Sequence, residues 1–532
     1  MKKNIFLIAF SFLSFSNVLV AQQTNSKPNI LFIAIDDLKP ELGCYGNKLI
    51  KTPNIDRLAA MGTVFMSNYC QQAVCGPTRA SLMTGKRPDY TKVWDLKTPM
   101  RDVNPDILSL PQYLITQGYT TQGIGKVYDP RDVDKQLDAP SWSVPFYKVA
   151  NKYYDKKTGP PVLGQYQSDS TRLLFEKYTN EAKANGLTGK EARLYVEDRV
   201  KPTTECIDVP DNAYDDGANV LMALDILKEL KGSDKPFFFA VGIHKPHLPF
   251  VSPKKYWDLY KRDDMPLAQY QEAPKNYIPA AFSDVGEMKK YTDIPALLSF
   301  TDQKPYGLTL PADKQKELIH GYYAAISYTD ALVGKLLNTL DSLGLTKNTI
   351  IVLWGDHGWH LGDHNMWCKH TNFEQATHTP FIISAPGIKP AKTNSMTEFV
   401  DIFPTLCDLT GSKIPAILDG KSLVSVMKDP KSSVKDFAVS QYPRNVKENG
   451  KNMKYMGYSI RTSQYRYTLW MGNDFRTTQA FSKDLVKGIE LYDYKKDPLE
   501  TNNVSADKDY EKVATELNKK ILDFFKSQID NK

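Results

Sequence analysis

Histidine and cysteine are scarce in this chain: 532 residues carry eight of the first and six of the second. Six cysteines, at spacings that match no small disulfide scaffold, exclude a cystine-stapled module. A chain this long buries enough apolar surface to need no such staples. After the first twenty positions there is no long apolar run, which excludes a bundle of membrane-spanning helices. Internal repeats are absent. The formal net charge of +7 is too small and too dispersed for a nucleic-acid binder, although it favours anionic ligands.

What is present begins with a leader. Lys2 and Lys3 precede the apolar stretch IFLIAFSFLSF, and Ala21 precedes a polar segment. Residues 1–21 therefore read as a signal peptide, and the mature chain as exported, to the periplasm or beyond. Removing the two lysines lowers the charge from +7 to +5. No cysteine follows the apolar run, so no membrane anchor is expected. Residues 22–436 read as one catalytic domain. Near residue 436 the texture changes to short strands with alternating aromatics, such as YSIRTSQYRYTLW, closed by a charged helix over 510–525. Residues 437–532 are accordingly expected to form a smaller antiparallel sheet with one covering helix.

Within the larger part, NILFIAIDD (29–37), which ends in two aspartates, FFFAVG (237–242) and the start of TIIVLWGDHGWHLGDHN (from 349) are continuous apolar runs of strand length. Such runs belong to strands buried on both faces, as in α/β sheets. Helical patterns lie between them. TPNIDRLAAMG has proline at its first helical position and glycine as its stop, and 311–343 repeats apolar residues three and four apart. Residues 130–210 are loop-rich, with one charged helix expected near 169–199.

The chain is organised around QQAVCGPTRASLMTG (71–85). Pro77 and Gly85 bracket a short helix, with Cys75 just before its start. A thiol at a helix N-terminus is expected to have a depressed pKa and to be reactive. Three of the apolar strands end in polar clusters: Asp36-Asp37, His244-Lys245-Pro246-His247 and Gly355-Asp356-His357; a shorter one ends at Lys126. Ligands of open α/β sheets bind beyond the carboxyl ends of the strands. Seven of the eight histidines fall in 244–247 or 357–378, which points to chemistry there rather than to scattered packing. Asp36, Asp37, Asp356 and His357 have the donor types for a hard cation, Ca²⁺ or Mg²⁺. Arg79, Lys126, His244 and Lys369 supply positive charge for an anionic ester.

The segments NILFIAIDDL, CGPTRASLMTG, GYTTQGIGKVY, AVGIHKPHLPF, GDHGWHLGDHNMWCKHTNF and MGYSIRTSQYRYTLW together resemble the type I, formylglycine-dependent sulfatases, most of all their iduronate-2-sulfatase members. The resemblance runs from residue 29 to about 504. It implies an α/β, alkaline-phosphatase-like large mixed sheet flanked by helices, one calcium ion per chain, a sulfated oligosaccharide substrate and a maturation enzyme that converts Cys75 to formylglycine. It assigns calcium to Asp36, Asp37, Cys75, Asp356 and His357, and sulfate binding or catalysis to Arg79, Lys126, His244 and Lys369. Two departures stand out. Thr78 replaces the commoner serine, and Asp129 stands where those members have a histidine that deprotonates the hydrate. Either Asp129 is the base or a histidine of 357–378 replaces it. The expected substrate is the 2-O-sulfate of a terminal uronic acid; a sulfated algal galactan, or a phosphodiester or phosphonate on the same fold, are the alternatives.

Overall fold

The structure, a computed structural model, describes residues 27–283, 285–294, 310–448, 450–472 and 483–530. The signal peptide expected at 1–21 lies outside them. In chain order the main elements are β1 (Asn29–Ile35), α1 (Pro53–Met61), β2 (Thr63–Phe65), α2 (Cys75–Thr84), α3 (Leu110–Thr116), β3 (Thr120–Gly125), α4 (Asp215–Lys231), β4 (Phe237–Ile243), α5 (Ala312–Ser342), β5 (Thr349–Gly355), β6 (Phe381–Ser384), β7 (Ala391–Thr393) and α6 (Ile402–Leu409). The C-terminal part contributes β8 (Phe437–Glu448), β9 (Lys451–Thr462), β10 (Tyr465–Met471), β11 (Val486–Asp493) and α7 (Glu511–Asp530).

Seven strands form one mixed sheet in the order β7-β2-β6-β5-β1-β4-β3. Strands β3, β4, β1 and β5 run parallel, and β6 is antiparallel to both β5 and β2. The continuous apolar runs are explained by burial on both faces. Along β1, Leu31, Ile33 and Ile35 join one core with Val220 and Leu227 of α4 and Leu318 and Leu336 of α5. The alternate residues Ile30, Phe32 and Ala34 join a second core with Ala80 and Leu82 of α2, Leu114 of α3 and Phe403 of α6. Period-two alternation thus feeds two helical layers. Each fully buried Leu, Ile or Phe contributes roughly 1.5–3 kcal/mol relative to exposure.

The four-stranded antiparallel sheet β8-β9-β10-β11 packs Ile460, Leu469 and Leu491 against Leu517 and Ile521 of α7. Two of its strands are twelve residues long, not short as the sequence suggests. The single charged helix expected near 169–199 is two helices, Asp169–Ala184 and Gly189–Glu197, broken at Gly186, whose φ is +72°. All six cysteines are free. Among the described residues no helix is long and apolar enough to cross a membrane.

Candidate active site

Register decides where the strand ends fall. Ile35 pairs with both Ile243 and Gly355, and Gly125 pairs with Gly242, so β1, β3, β4 and β5 end level. The next residues, Asp36, Lys126, His244 and Asp356, therefore leave the sheet at one edge. Two glycines let Lys126 approach: Gly125 adopts φ +75°, and a Cβ on Gly242 would stand 2.1 Å from the Lys126 carbonyl carbon. Asp37 is also in the left-handed region, at φ 56°. Its carbonyl accepts from Tyr322 Oη of α5 at 2.7 Å, and its N–H donates to Asp356 Oδ1 at 2.9 Å. Strain of this kind persists where the surroundings over-determine it.

Helix α2 begins at Cys75 itself, with Val74 as the cap, two residues earlier than the proline implies. Gly85 closes it in the left-handed conformation, at φ 64°. Cys75 is 1% exposed, with Sγ 3.4 Å from His357 Nε2 and 3.8 Å from Lys126 Nζ. The depressed thiol pKa expected from the helix N-terminus is corrected here. Burial, and then the Asp36 carboxylate, push the Cys75 thiol well above its ordinary value despite Lys126 and Lys369. As a free thiol it is a poor nucleophile, because the thiolate is the reactive form.

Around it lie three aspartates, all at 0% exposure. Arg79, also fully buried, donates from Nη2 to Asp36 Oδ1 at 3.1 Å and from Nε to Asp356 Oδ2 at 3.0 Å, with Trp354 beneath its guanidinium at 5.3 Å. Lys126 Nζ donates to Asp36 Oδ2, and Lys369 Nζ to both oxygens of Asp37 at 3.0 and 3.1 Å. Lys369 is aimed inward by left-handed backbone at Cys368 and His370, both at φ 70°. Burial raises Asp37 and Asp356, the latter to about 7 with help from the Asp36 charge; Asp36 falls well below the carboxylate range because Lys126 and Arg79 outweigh burial. Burial lowers His357 to about 4.

Each of the three carboxylates has a cationic partner, yet burial still raises Asp37 and Asp356, an arrangement that favours a further cation. Donor atoms of Asp36, Cys75, Asp356 and His357 lie within 4.8 Å of one another, as do those of Asp36, Asp37, Cys75 and His247. Three carboxylates and an imidazole suit a hard divalent ion such as calcium.

Cys75 and Lys126 line a cavity of about 780 Å³, together with His244, His247, Glu287, Lys369 and His370. His244 is neutral at ordinary pH, its pKa held well below normal by burial and then by Lys126 and His247. Asp216 at the start of α4 accepts from the backbone N–H groups of His244 and Lys245, both at 2.8 Å, and fixes this turn. Asp129 lines the cavity, but as the anion of a bidentate pair: Arg131 donates from Nε at 2.8 Å and Nη2 at 2.7 Å. Burial raises its pKa, and the bonds from Arg131 together with the charge of Lys126 outweigh that and hold it at about 2. A carboxylate so held is a weak proton acceptor.

Histidine bunching overstated the chemistry. His360 bonds Thr371 Oγ1, His364 the carbonyls of Leu499 and Glu500, and His378 the Met66 carbonyl. Two functional candidates escaped the motif reading. His247 stands 3.0 Å from Glu287 Oε1 and 3.7 Å from Asp37 Oδ2, with its Nδ1 on the Leu248 carbonyl. Glu287, which bonds Lys369 at 2.9 Å, comes from an aperiodic loop and carried no sequence signal. His247 had one, the HKPH repeat at a strand end.

With this geometry in hand, comparison with known proteins is decisive. The sulfatase family model matches residues 28–412. The chain belongs to the sulfatase family. The sulfatase is a sulfuric ester hydrolase, and residues 362–527 match the model of the N-sulphoglucosamine sulphohydrolase C-terminal region. It is 34% identical to the iduronate 2-sulfatase of Homo sapiens over 544 aligned residues, 92% of each chain. Among solved structures it resembles a protein in complex with its substrate D-glucosamine-2-N,6-O-disulfate, with a TM-score of 0.66 at 21% identity over 95% of this chain and 99% of that one. It also resembles the phosphonate monoester hydrolase of Agrobacterium radiobacter, with a TM-score of 0.65 at 23% identity over 94% and 96%. At these identities the two structures establish the shared alkaline-phosphatase-like fold, as the sequence resemblance implies.

Proposed function

We propose that this sulfatase is an exported, exo-acting enzyme that releases the 2-O-sulfate of a terminal uronic acid in glycosaminoglycan oligosaccharides. The observation that carries the reading is the cavity floored by Cys75 and Lys126 and walled by Lys369, His244 and His247, which suits a sugar bearing a carboxylate beside its sulfate ester. The 34% identity to iduronate 2-sulfatase over 92% of both chains supports the same substrate class.

Cys75, once oxidised to formylglycine by a maturation enzyme and hydrated, would offer a hydroxyl to the ester sulfur as the sugar alcohol leaves, and this is the role we assign to the residue in place of its thiol. Asp36, Asp37, Asp356 and His357, with Cys75, would hold calcium, which would supply positive charge to the sulfate oxygens. Lys126 and Lys369 carry full positive charge towards the same oxygens and stabilise charge that builds as the ester breaks. Arg79 holds Asp36 and Asp356 in place. For the proton given to the leaving alcohol, the geometry favours His247 over His244 and Lys369. His247 lines the cavity, and its two ring nitrogens lie on Leu248 O and Glu287 Oε1, which orient the ring. Lys369 is tied to Asp37 and Glu287, and burial keeps His244 neutral.

Release of sulfate compared on 2-O-sulfated uronate disaccharides, 6-O-sulfated amino sugars and sulfated galactan oligosaccharides tests the specificity. Clear preference for either of the last two overturns the uronate assignment. The mass of the peptide spanning Cys75, after expression beside a maturation enzyme, tests the modification. Cys75→Ala is expected to fold and to release no sulfate; near-normal turnover by that variant refutes the mechanism.

A further inference from the structure

Seven lysine and arginine side chains line the cavity, against four aspartate and glutamate side chains. All four acids are engaged. Asp129 holds Arg131, Asp215 accepts from Tyr154 Oη at 2.9 Å, Asp216 accepts two backbone N–H groups, and Glu287 holds Lys369 and His247. Most of the cations are engaged too. Lys126 sits on Asp36, Lys369 on Asp37, and Arg193 on Glu197 at 2.5 Å. Lys245 donates to the carbonyls of His247 and Pro249 at 2.7 and 2.8 Å.

Two ammonium groups are left over. Among the described residues no carboxylate lies within 4.0 Å of Lys201 or Lys290. Lys201 is half-buried, with Nζ 4.6 Å above the ring of Tyr291, itself part of the cavity wall. Its backbone is fixed: the Lys201 carbonyl accepts from Thr292 at 2.9 Å, and Thr203 bonds Asp293, which in turn holds Lys314 at 2.7 Å. Burial lowers the pKa of Lys201; the more distant charges of Glu197 and Glu287 oppose this, and those of Lys290 and Arg193 add to it. Like charges held together in a cavity wall cost free energy unless an anion joins them.

We propose that Lys201 and Lys290 form a second anion subsite, which takes a sulfate or carboxylate on the sugar adjoining the one that loses its ester. This rests on the reading of the substrate as a sulfated oligosaccharide. Both lysines come from the segments that flank the cavity far from the Cys75 motif in sequence, one just before residue 203 and one in the turn Met288–Lys290. Neither lysine bonds Cys75 or the three aspartates, so the subsite is assigned to substrate selection and not to ester cleavage.

The test is a ratio of kcat/KM values. Disaccharides with a terminal 2-O-sulfated uronate and a neighbouring glucosamine either sulfated or unsulfated are compared on the matured enzyme. The wild type is expected to favour the doubly sulfated one by about tenfold or more, the size of one charge-assisted contact that is partly solvated. In Lys201→Ala/Lys290→Ala the ratio should fall to within about twofold of unity, and arginine at both positions should restore it. Lys290→Ala alone, at an exposed position, should lower the ratio part-way and guards against loss of folding. A wild-type ratio near one, or a ratio unmoved by the substitutions, overturns the subsite. If the lysines instead govern preference for a uronate over a neutral 2-sulfated hexose, the anion lies on the same ring and the proposal fails as stated. Should the enzyme prefer galactans, the uronate reading falls, and the same ratio on galactan oligosaccharides with and without a second sulfate decides the subsite.

Discussion

Replacing Asp129 by asparagine separates two roles that the sequence left open. If Asp129 deprotonates the hydrated nucleophile, its loss removes a general base, an effect of about 10²–10⁴ in rate. If it is the fixed partner of Arg131, the loss falls mainly on stability. The carboxyl group is 1% exposed and accepts from Arg131 N, Nε and Nη2 at 3.0, 2.8 and 2.7 Å. These bonds and Lys126 hold its pKa at about 2, against an ordinary 3.8. The depression of roughly two units corresponds to about 2.5 kcal/mol at most. Arg131 has 51% of its side chain exposed, so solvent screening lowers this to about 1–1.5 kcal/mol. Because the folded pKa is depressed, the stabilisation is fully present above pH ~4 and is lost as pH falls towards 2. Asp129→Asn should therefore cost about 1–1.5 kcal/mol in denaturant unfolding at pH 7, and the gap from wild type should narrow below pH 4. Its kcat should stay within about tenfold of wild type, with no sulfated enzyme in quenched steady-state samples. A hundredfold fall in kcat, with a sulfated Cys75 peptide accumulating, refutes this and restores Asp129 as the base. His247→Gln is expected to show the large loss instead.

The metal assignment predicts about one calcium per chain by elemental analysis. Asp37→Asn should abolish this stoichiometry, and chelator-treated wild type should lose thermal stability that calcium restores; stoichiometric zinc in its place contradicts the assignment. Asp132 offers a pH test. Both its carboxylate oxygens are buried without a hydrogen-bond partner, and burial, aided by the Asp129 charge, raises its pKa to about 8. A raised folded pKa costs stability as pH climbs from ~4 to ~8, so Asp132→Asn should match wild type near pH 4 and exceed it by about 2–4 kcal/mol at pH 8. A gain that does not grow with pH refutes the burial argument. Gly76→Ala should destabilise the chain, because its Cβ would fall 1.3 Å from Asp132 Oδ2, and Asp132→Ala should relieve most of that cost. Equal stability of Gly76→Ala and wild type in denaturant unfolding would show that the clash is absorbed.

Local signals were legible in the sequence because their causes are local. Continuous apolar runs marked β1, β4 and β5, since strands covered by helices on both faces need apolar side chains on both. Pro77 and Gly85 bracketed α2 to within two residues, because proline tolerates only the first turn and glycine accepts the left-handed stop. The strand-end residues Asp36, Lys126, His244 and Asp356 could be singled out for the same reason, as polar groups following apolar runs. Long-range partners were not legible. Glu287, Asp216 and Arg131 carry no pattern of their own and acquire roles only from what packs against them.

The sequence by itself determined the elements, their order and the family. Only the tertiary structure decided protonation and pairing. The helix-end argument gave Cys75 a depressed pKa, but Cys75 is buried, and desolvation beside Asp36 outweighs the backbone dipole. By position Asp129 could be the base or not, and only the fold shows that Arg131, two residues on, turns back to donate to it. Three of the histidines clustered in sequence turn to backbone carbonyls or a threonine, while His247 turns into the cavity. These outcomes depend on burial and on which groups meet in space, some of them neighbours in sequence and some hundreds of residues apart. Periodicity and spacing do not encode those quantities; the level register of four strand ends does.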